Sequence, residues 1–284
     1  MATFLMGAGC WSVGSKAEPS DAANTSPTDT AKMTEPQMTK GFLDNLPKAF
    51  EQPTDDAGRL LLREYGAVFL ARNGATPPKK VVFKDEADVS AFQSSLKTSS
   101  ETIGGYKIEL QSSAMTALKA AIAEARSARL SISPRGADSA RRSYTHTVTL
   151  WASRVNPGLT YWTGKDRITK VEAKRIRLLS PFEQVPEILR LEQDRIYFAK
   201  DLQKSIIYSV APPGTSQHLS MLALDVKEFE NAKVRSILAK HGWYQTVVSD
   251  LPHFTYLGVP ETELNGLGLK MVKSGGRVFW IPDI

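Results

Sequence analysis

A histidine and an aspartate seven positions apart in an apolar run impose the strictest local requirement on how this chain folds. The segment reads Pro213-Gly-Thr-Ser-Gln-His218-Leu-Ser-Met-Leu-Ala-Leu-Asp225-Val226. Alternation of Met221, Ala223 and Asp225 predicts a strand, in which every second side chain shares a face. Asp225 lies among Leu222, Ala223, Leu224 and Val226, where a carboxylate without a partner is costly, and a cation is the natural partner. An extended stretch of that length spans more than ~20 Å, too far for His218 and Asp225 to meet at one ion. The chain must therefore bend between them, and Thr215 to Ser220 supplies the turn.

Downstream, Ser249-Asp250-Leu-Pro-His253-Phe-Thr-Tyr256 brings a second histidine with an acidic residue three positions before it. Two histidines and one carboxylate make a three-ligand set for one Zn2+ ion, with a fourth position open to water or substrate. Asp250 is placed to act as general base toward such a water. The other two histidines receive ordinary readings. His146 lies in the polar run Ser143 to Thr149, and His241, beside Gly242, reads as a cation at a helix C-terminus.

The single cysteine, Cys10, excludes an intramolecular disulfide and any cysteine-built zinc site. It ends a short run of apolar and small residues, Met1 to Cys10, which resembles the end of a bacterial lipoprotein signal. That resemblance implies export, to the periplasm or the membrane-anchored cell envelope, with a lipid anchor at Cys10. Residues 11–40, rich in Ser, Thr, Ala, Asp and Pro, read as a flexible tether. Residues 41–105 read as an N-terminal subdomain without an assigned role, and 106–284 as the domain carrying the metal residues. The net charge of +6 is spread along the chain apart from a cluster between Lys165 and Arg177. Without interleaved aromatics that cluster reads as a solvated helix face, so nucleic acid is not an expected partner.

Periodicity predicts helices over Ala57 to Tyr65, Asp85 to Leu96, Gln111 to Arg129, Ser139 to Trp151, Lys170 to Arg177 and Glu183 to Lys200. Strands are predicted over Gly66 to Ala71, Lys79 to Phe83, Leu130 to Ser133 and Ser205 to Ser209. The expected class is α+β, with a small, mostly antiparallel sheet carrying the zinc site and helices packed on one side.

Taken together, Ser216-x-His218-x6-Asp225 and Asp250-x-x-His253 resemble the LAS-type zinc metallopeptidases, which include D-alanyl-D-alanine carboxypeptidases and the D-Ala-D-Ala dipeptidases linked to vancomycin resistance. The similarity runs from about Ile108 to Gly258. It takes in the block Leu110 to Arg142, which looks like the family's helix, strand and Ser-x-x-Arg element. The resemblance implies a hedgehog/D,D-peptidase-like fold, with His218, Asp225 and His253 as zinc ligands. It implies Asp250 as general base, where the family has Glu, and Arg135 as the group that stabilises the oxyanion or grips the substrate. Ser216 is implied to bind a terminal carboxylate. Pro252 stands where the family has Trp, and Ser220 where it has Gly. The implied activity is removal of the terminal D-Ala from peptidoglycan stem peptides ending in D-Ala-D-Ala. Two alternatives stay open: a zinc-retaining wall-binding module with weak or no catalysis, and an L,D- or endo-peptidase of the same family.

Overall fold

In a computed structural model, which describes residues 41–284, six of the seven α-helices begin on a side chain that accepts a main-chain N–H. Asp55 caps α1 (Asp56–Tyr65) and Asp85 caps α2 (Glu86–Ser94). Ser143 caps α4 (Tyr144–Gly164), Thr169 caps α5 (Lys170–Leu178), and Ser180 forms a capping box with Glu183 at α6 (Pro181–Gln193). Asn231 caps α7 (Ala232–Lys240). The exception is α3 (Ser112–Ser127), whose N-cap residue is Gln111 rather than Ser112 or Ser113. The Gln111 amide is used elsewhere. It donates to Thr76 O at 2.9 Å and Ser220 O at 2.8 Å, and accepts from Thr76 N at 2.8 Å. Gln111 N also donates to Met221 O at 3.1 Å, so this residue clamps the turn that follows His218.

The strands form three small antiparallel sheets, so the class is α+β. The hairpin β1–β2 (Thr98–Ile103 and Tyr106–Gln111) closes over Gly104 and Gly105, both at positive φ. The second sheet, in the order β3-β5-β4, joins Ala223–Asp225, His253–Tyr256 and Trp243–Tyr244. A last hairpin, β6–β7 (Leu269–Ser274 and Arg277–Pro282), closes over Gly275-Gly276. No element was expected over either hairpin: β1 alternates exposed and half-buried polar residues, and β6 is largely exposed, so neither shows an apolar period.

Several sequence expectations are corrected. Gly66–Leu70 is a 3-10 helix with all five residues buried, not a strand, and Ile206–Tyr208 is also 3-10. A short apolar run has no period that separates the two forms. Lys79 to Phe83 makes a single bridge, Glu51 to Lys80, rather than a ladder. Leu130 to Ser133 is not a strand either. The chain from Ser133 instead runs beside β3, with Lys227 N bonded to Ser133 O at 2.8 Å and a bridge between Pro134 and Val226. Because residues 133–142 are held there, α4 starts at Tyr144 rather than at Ser139.

The main hydrophobic core extends from Phe42 through Leu61, Leu70, Leu118, Leu159 and Phe254 to Trp280, and a smaller cluster joins Phe83, Val89, Tyr144 and Leu219. The boundary expected between residues 105 and 106 falls in the turn of the β1–β2 hairpin, and the core crosses it. Cys10, expected to carry a lipid anchor, and residues 11–40, expected to form a tether, lie outside the described residues. Among the described residues no helix is long and apolar enough to cross a membrane.

The turn entering the site depends on Gly214. Its φ is +79°, and a Cβ there would lie 2.0 Å from the carbonyl oxygen of Phe83. Main chain blocks that position and cannot rotate away, so strain and overlap add. Gly214→Ala should destabilise the fold by roughly 3 kcal/mol. Urea denaturation monitored by circular dichroism checks this, and an unshifted midpoint would refute it.

Candidate metal centre

Antiparallel register does the first part of the assembly. Asp225, the last residue of β3, is paired directly with His253, the first of β5. His218 returns to the same point through the 3-10 turn Gln217–Ser220, which closes on Met221 in a left-handed conformation at φ 57°. This is the bend that the seven-residue spacing requires. The residue under backbone strain is Met221, one position beyond Ser220.

The three side chains are buried, at 1% exposure for His218, 9% for Asp225 and 4% for His253. His218 Nε2 lies 3.1 Å from His253 Nδ1, and each of these nitrogens lies 3.3 Å from Asp225 Oδ1. Tetrahedral bonds of about 2.0–2.1 Å to one zinc ion would hold three ligand atoms about 3.3 Å apart. The cluster can therefore hold a metal ion without rearrangement.

The surrounding hydrogen bonds fix both imidazole tautomers in the form a metal needs. His218 Nδ1 is 2.8 Å from Ala140 O, a pure acceptor, so Nδ1 carries the proton and Nε2 presents a lone pair. His253 Nε2 is 2.8 Å from Gln217 Oε1. That amide is oriented by its own NH2 group, which donates to Tyr65 O at 2.8 Å, while Thr255 Oγ1 donates to the same Oε1. His253 therefore donates through Nε2 and presents Nδ1. Two nitrogen lone pairs and a carboxylate oxygen thus converge with no proton between them. Such a triangle is repulsive until a cation enters.

Electrostatics favour the same state. Burial pushes the His218 imidazole below its ordinary range, which keeps it neutral, while Asp225 opposes that effect. Asp225 Oδ2 also accepts from Arg142 Nη2 at 2.6 Å, leaving Oδ1 turned to the histidines.

The loop that delivers Ala140 and Arg142 is fastened along β3. Arg135 N donates to Asp225 O at 3.0 Å, Asp225 N to Ser139 O at 2.8 Å, and Arg142 N to His218 O at 3.4 Å. Arg135 therefore meets the site through its main chain; its residue is exposed and does not line the cavity beside the histidines. The guanidinium that reaches the cluster belongs to Arg142. A signal for it is present in the sequence, since Ser139-Ala140-Arg141-Arg142 reads Ser-x-x-Arg.

A cavity of about 270 Å³ opens beside the cluster, lined among others by Arg142, Ser216, His218, Asp250 and His253. Asp250 is the one acidic side chain among its described lining residues. It is exposed, in a loop closed by Asp250 N to Val247 O at 3.1 Å and His253 N to Asp250 O at 3.2 Å. Ser216 is buried at the cavity wall. The cavity also contains residues that spacing did not single out: Gln217, and Thr147, Leu150 and Arg154 of α4. His146 and His241 stay apart from the centre; His241 ends α7 as its C-cap and lies 2.9 Å from Glu124. Comparison with family models, curated proteins and solved structures finds no match to this chain.

Proposed function

We propose that the chain is a zinc-dependent D-alanyl-D-alanine carboxypeptidase of LAS-type character, acting on peptidoglycan stem peptides at the cell envelope. The observation that carries the metallohydrolase part is the unprotonated triangle of His218 Nε2, His253 Nδ1 and Asp225 Oδ1, with sides near 3.3 Å at the wall of a cavity. The motif Ser216-x-His218-x6-Asp225 with Asp250-x-x-His253 supports the peptide substrate and the D,D-peptidase-like fold.

A Zn2+ ion held by these three residues supplies Lewis acidity toward a water and toward the scissile carbonyl. Asp250 receives the proton of the attacking water and returns it to the leaving amine. Arg142, at the cavity wall and bonded to Asp225, keeps the ligand carboxylate oriented and offers positive charge where the oxyanion develops. This is the role that the resemblance assigned to Arg135. Ser216 presents its hydroxyl to the substrate.

The test is release of D-alanine from a pentapeptide ending in D-Ala-D-Ala. Release should stop on chelation and return with one equivalent of zinc. No release by protein loaded with stoichiometric zinc would sink the enzymatic reading and leave a zinc-bearing wall-binding module.

A further inference from the structure

We propose that Arg154, held by Ser209, is the receptor for the free terminal carboxylate of the substrate, and that it makes the enzyme prefer peptides ending one residue beyond the scissile bond. The substrate class rests on the peptidase reading above. The receptor itself rests on the cavity.

Two guanidinium groups line that cavity among its described residues, Arg142 and Arg154. Arg142 is committed to Asp225 at 2.6 Å. Arg154 forms no ion pair with any described carboxylate. Its Nε donates to Ser209 Oγ at 2.9 Å and its Nη1 to Ser153 Oγ at 2.9 Å, both neutral acceptors. A guanidinium has five N–H donors in a fork that matches a carboxylate. Two bonds to hydroxyls hold Arg154 in place and leave donors free for a ligand. A half-buried cation facing a cavity without a counter-ion carries a desolvation cost, which an arriving anion relieves.

Position agrees with charge. Thr147, Leu150 and Arg154 are spaced i, i+3, i+7 on α4, so all three lie on one face of that helix and line the cavity. Arg154 is thus about 10 Å along the helix axis from Thr147, and its wall partner Ser209 follows the 3-10 turn Ile206–Tyr208. In a substrate cut before its last residue, only a nitrogen and an α-carbon separate the scissile carbonyl from the terminal carboxylate. Arg154 lines the same cavity of about 270 Å³ as His218 and His253, where the scissile carbonyl would lie. The acidic Asp250 and the basic Arg154 line the same cavity, which gives the peptide a direction.

The experiment is calorimetric titration of the zinc-loaded full chain with the ketomethylene analogue of acetyl-D-Ala-D-Ala, which cannot be cleaved, as the free acid and as the C-terminal amide. Wild type should bind the acid about 10- to 100-fold tighter than the amide. Arg154→Gln should bring the acid down to the amide's affinity while leaving amide binding and zinc content unchanged, and Arg154→Lys should recover part of the difference. Should Arg154→Gln not fold, Ser209→Ala, which removes the hydroxyl holding the guanidinium, should weaken the acid selectively. Equal binding of acid and amide by wild type, no binding of either, or an undiminished preference in the variants overturns the proposal. A preserved preference together with no cleavage of the ordinary dipeptide would bring down the peptidase reading and leave the carboxylate receptor standing.

Discussion

Replacing His218 by alanine should lower zinc affinity by at least about 100-fold, the upper end of what loss of a mere supporting partner costs. Three protein atoms define the site, and the loss of Nε2 leaves two ligands on a pair of strands. Calorimetric titration of metal-free protein measures the effect directly. A second readout comes from linkage. An ion that binds the folded state alone adds about 4 kcal/mol of stability at a thousandfold excess over Kd. Wild type should therefore melt well above its chelated form, and at the same zinc concentration His218→Ala should gain no more than about 1.4 kcal/mol, a third of the wild-type stabilisation. Far-ultraviolet circular dichroism controls for folding, since His218 donates through Nδ1 to Ala140 O and its removal frees that carbonyl. Undiminished zinc binding by His218→Ala would show that the triangle is not the metal site.

Asp250→Ala should behave differently, losing turnover while keeping the metal. Asp250 lines the cavity but is absent from the ligand cluster, and no other acidic side chain stands among the cavity's described lining residues. General-base catalysis by a positioned side chain contributes about 10²- to 10⁴-fold, and kcat should fall by that factor. Asp250→Asn, which preserves shape, should lose as much, whereas Asp250→Glu, which restores a carboxylate, should retain activity. Zinc content and melting temperature should match wild type in all three. Retained turnover in Asp250→Ala would end the general-base assignment. Loss of zinc from it would instead place Asp250 among the ligands.

The difference between these two variants follows from where each residue's information lay. The ligand set was legible as residue types: two histidines and an aspartate, one of them in an apolar run where a bare carboxylate is untenable. The spacing also required a bend between His218 and Asp225. Some helix starts were legible because caps are local: Asp55, Asp85, Thr169 and Ser180 each bond to a main-chain N–H three residues on, whereas the α4 start behind Ser143 was placed at Ser139 and no helix range was drawn for α7, capped by Asn231. The Ser-x-x-Arg pattern marks Arg142, but the sequence does not decide between it and Arg135. Arg135 and Arg142 both lie in the loop before α4, and which one turns inward depends on how that loop is fastened to β3. The 3-10 segments Gly66–Leu70 and Ile206–Tyr208 were misread as strands, because such short apolar runs carry no period that distinguishes the two.

By itself, the order of residues determined which atoms are available to a cation and where the chain had to turn, because ligand chemistry and peptide reach are local properties. Tertiary structure decided the rest. The β3–β5 register set Asp225 against His253. Carbonyl and amide oxygens from Ala140 and Gln217 selected the tautomers, and the α4 face brought Arg154 to the cavity. Those contacts join groups 28 to 78 positions apart, and no window on the chain contains both ends of such a pair.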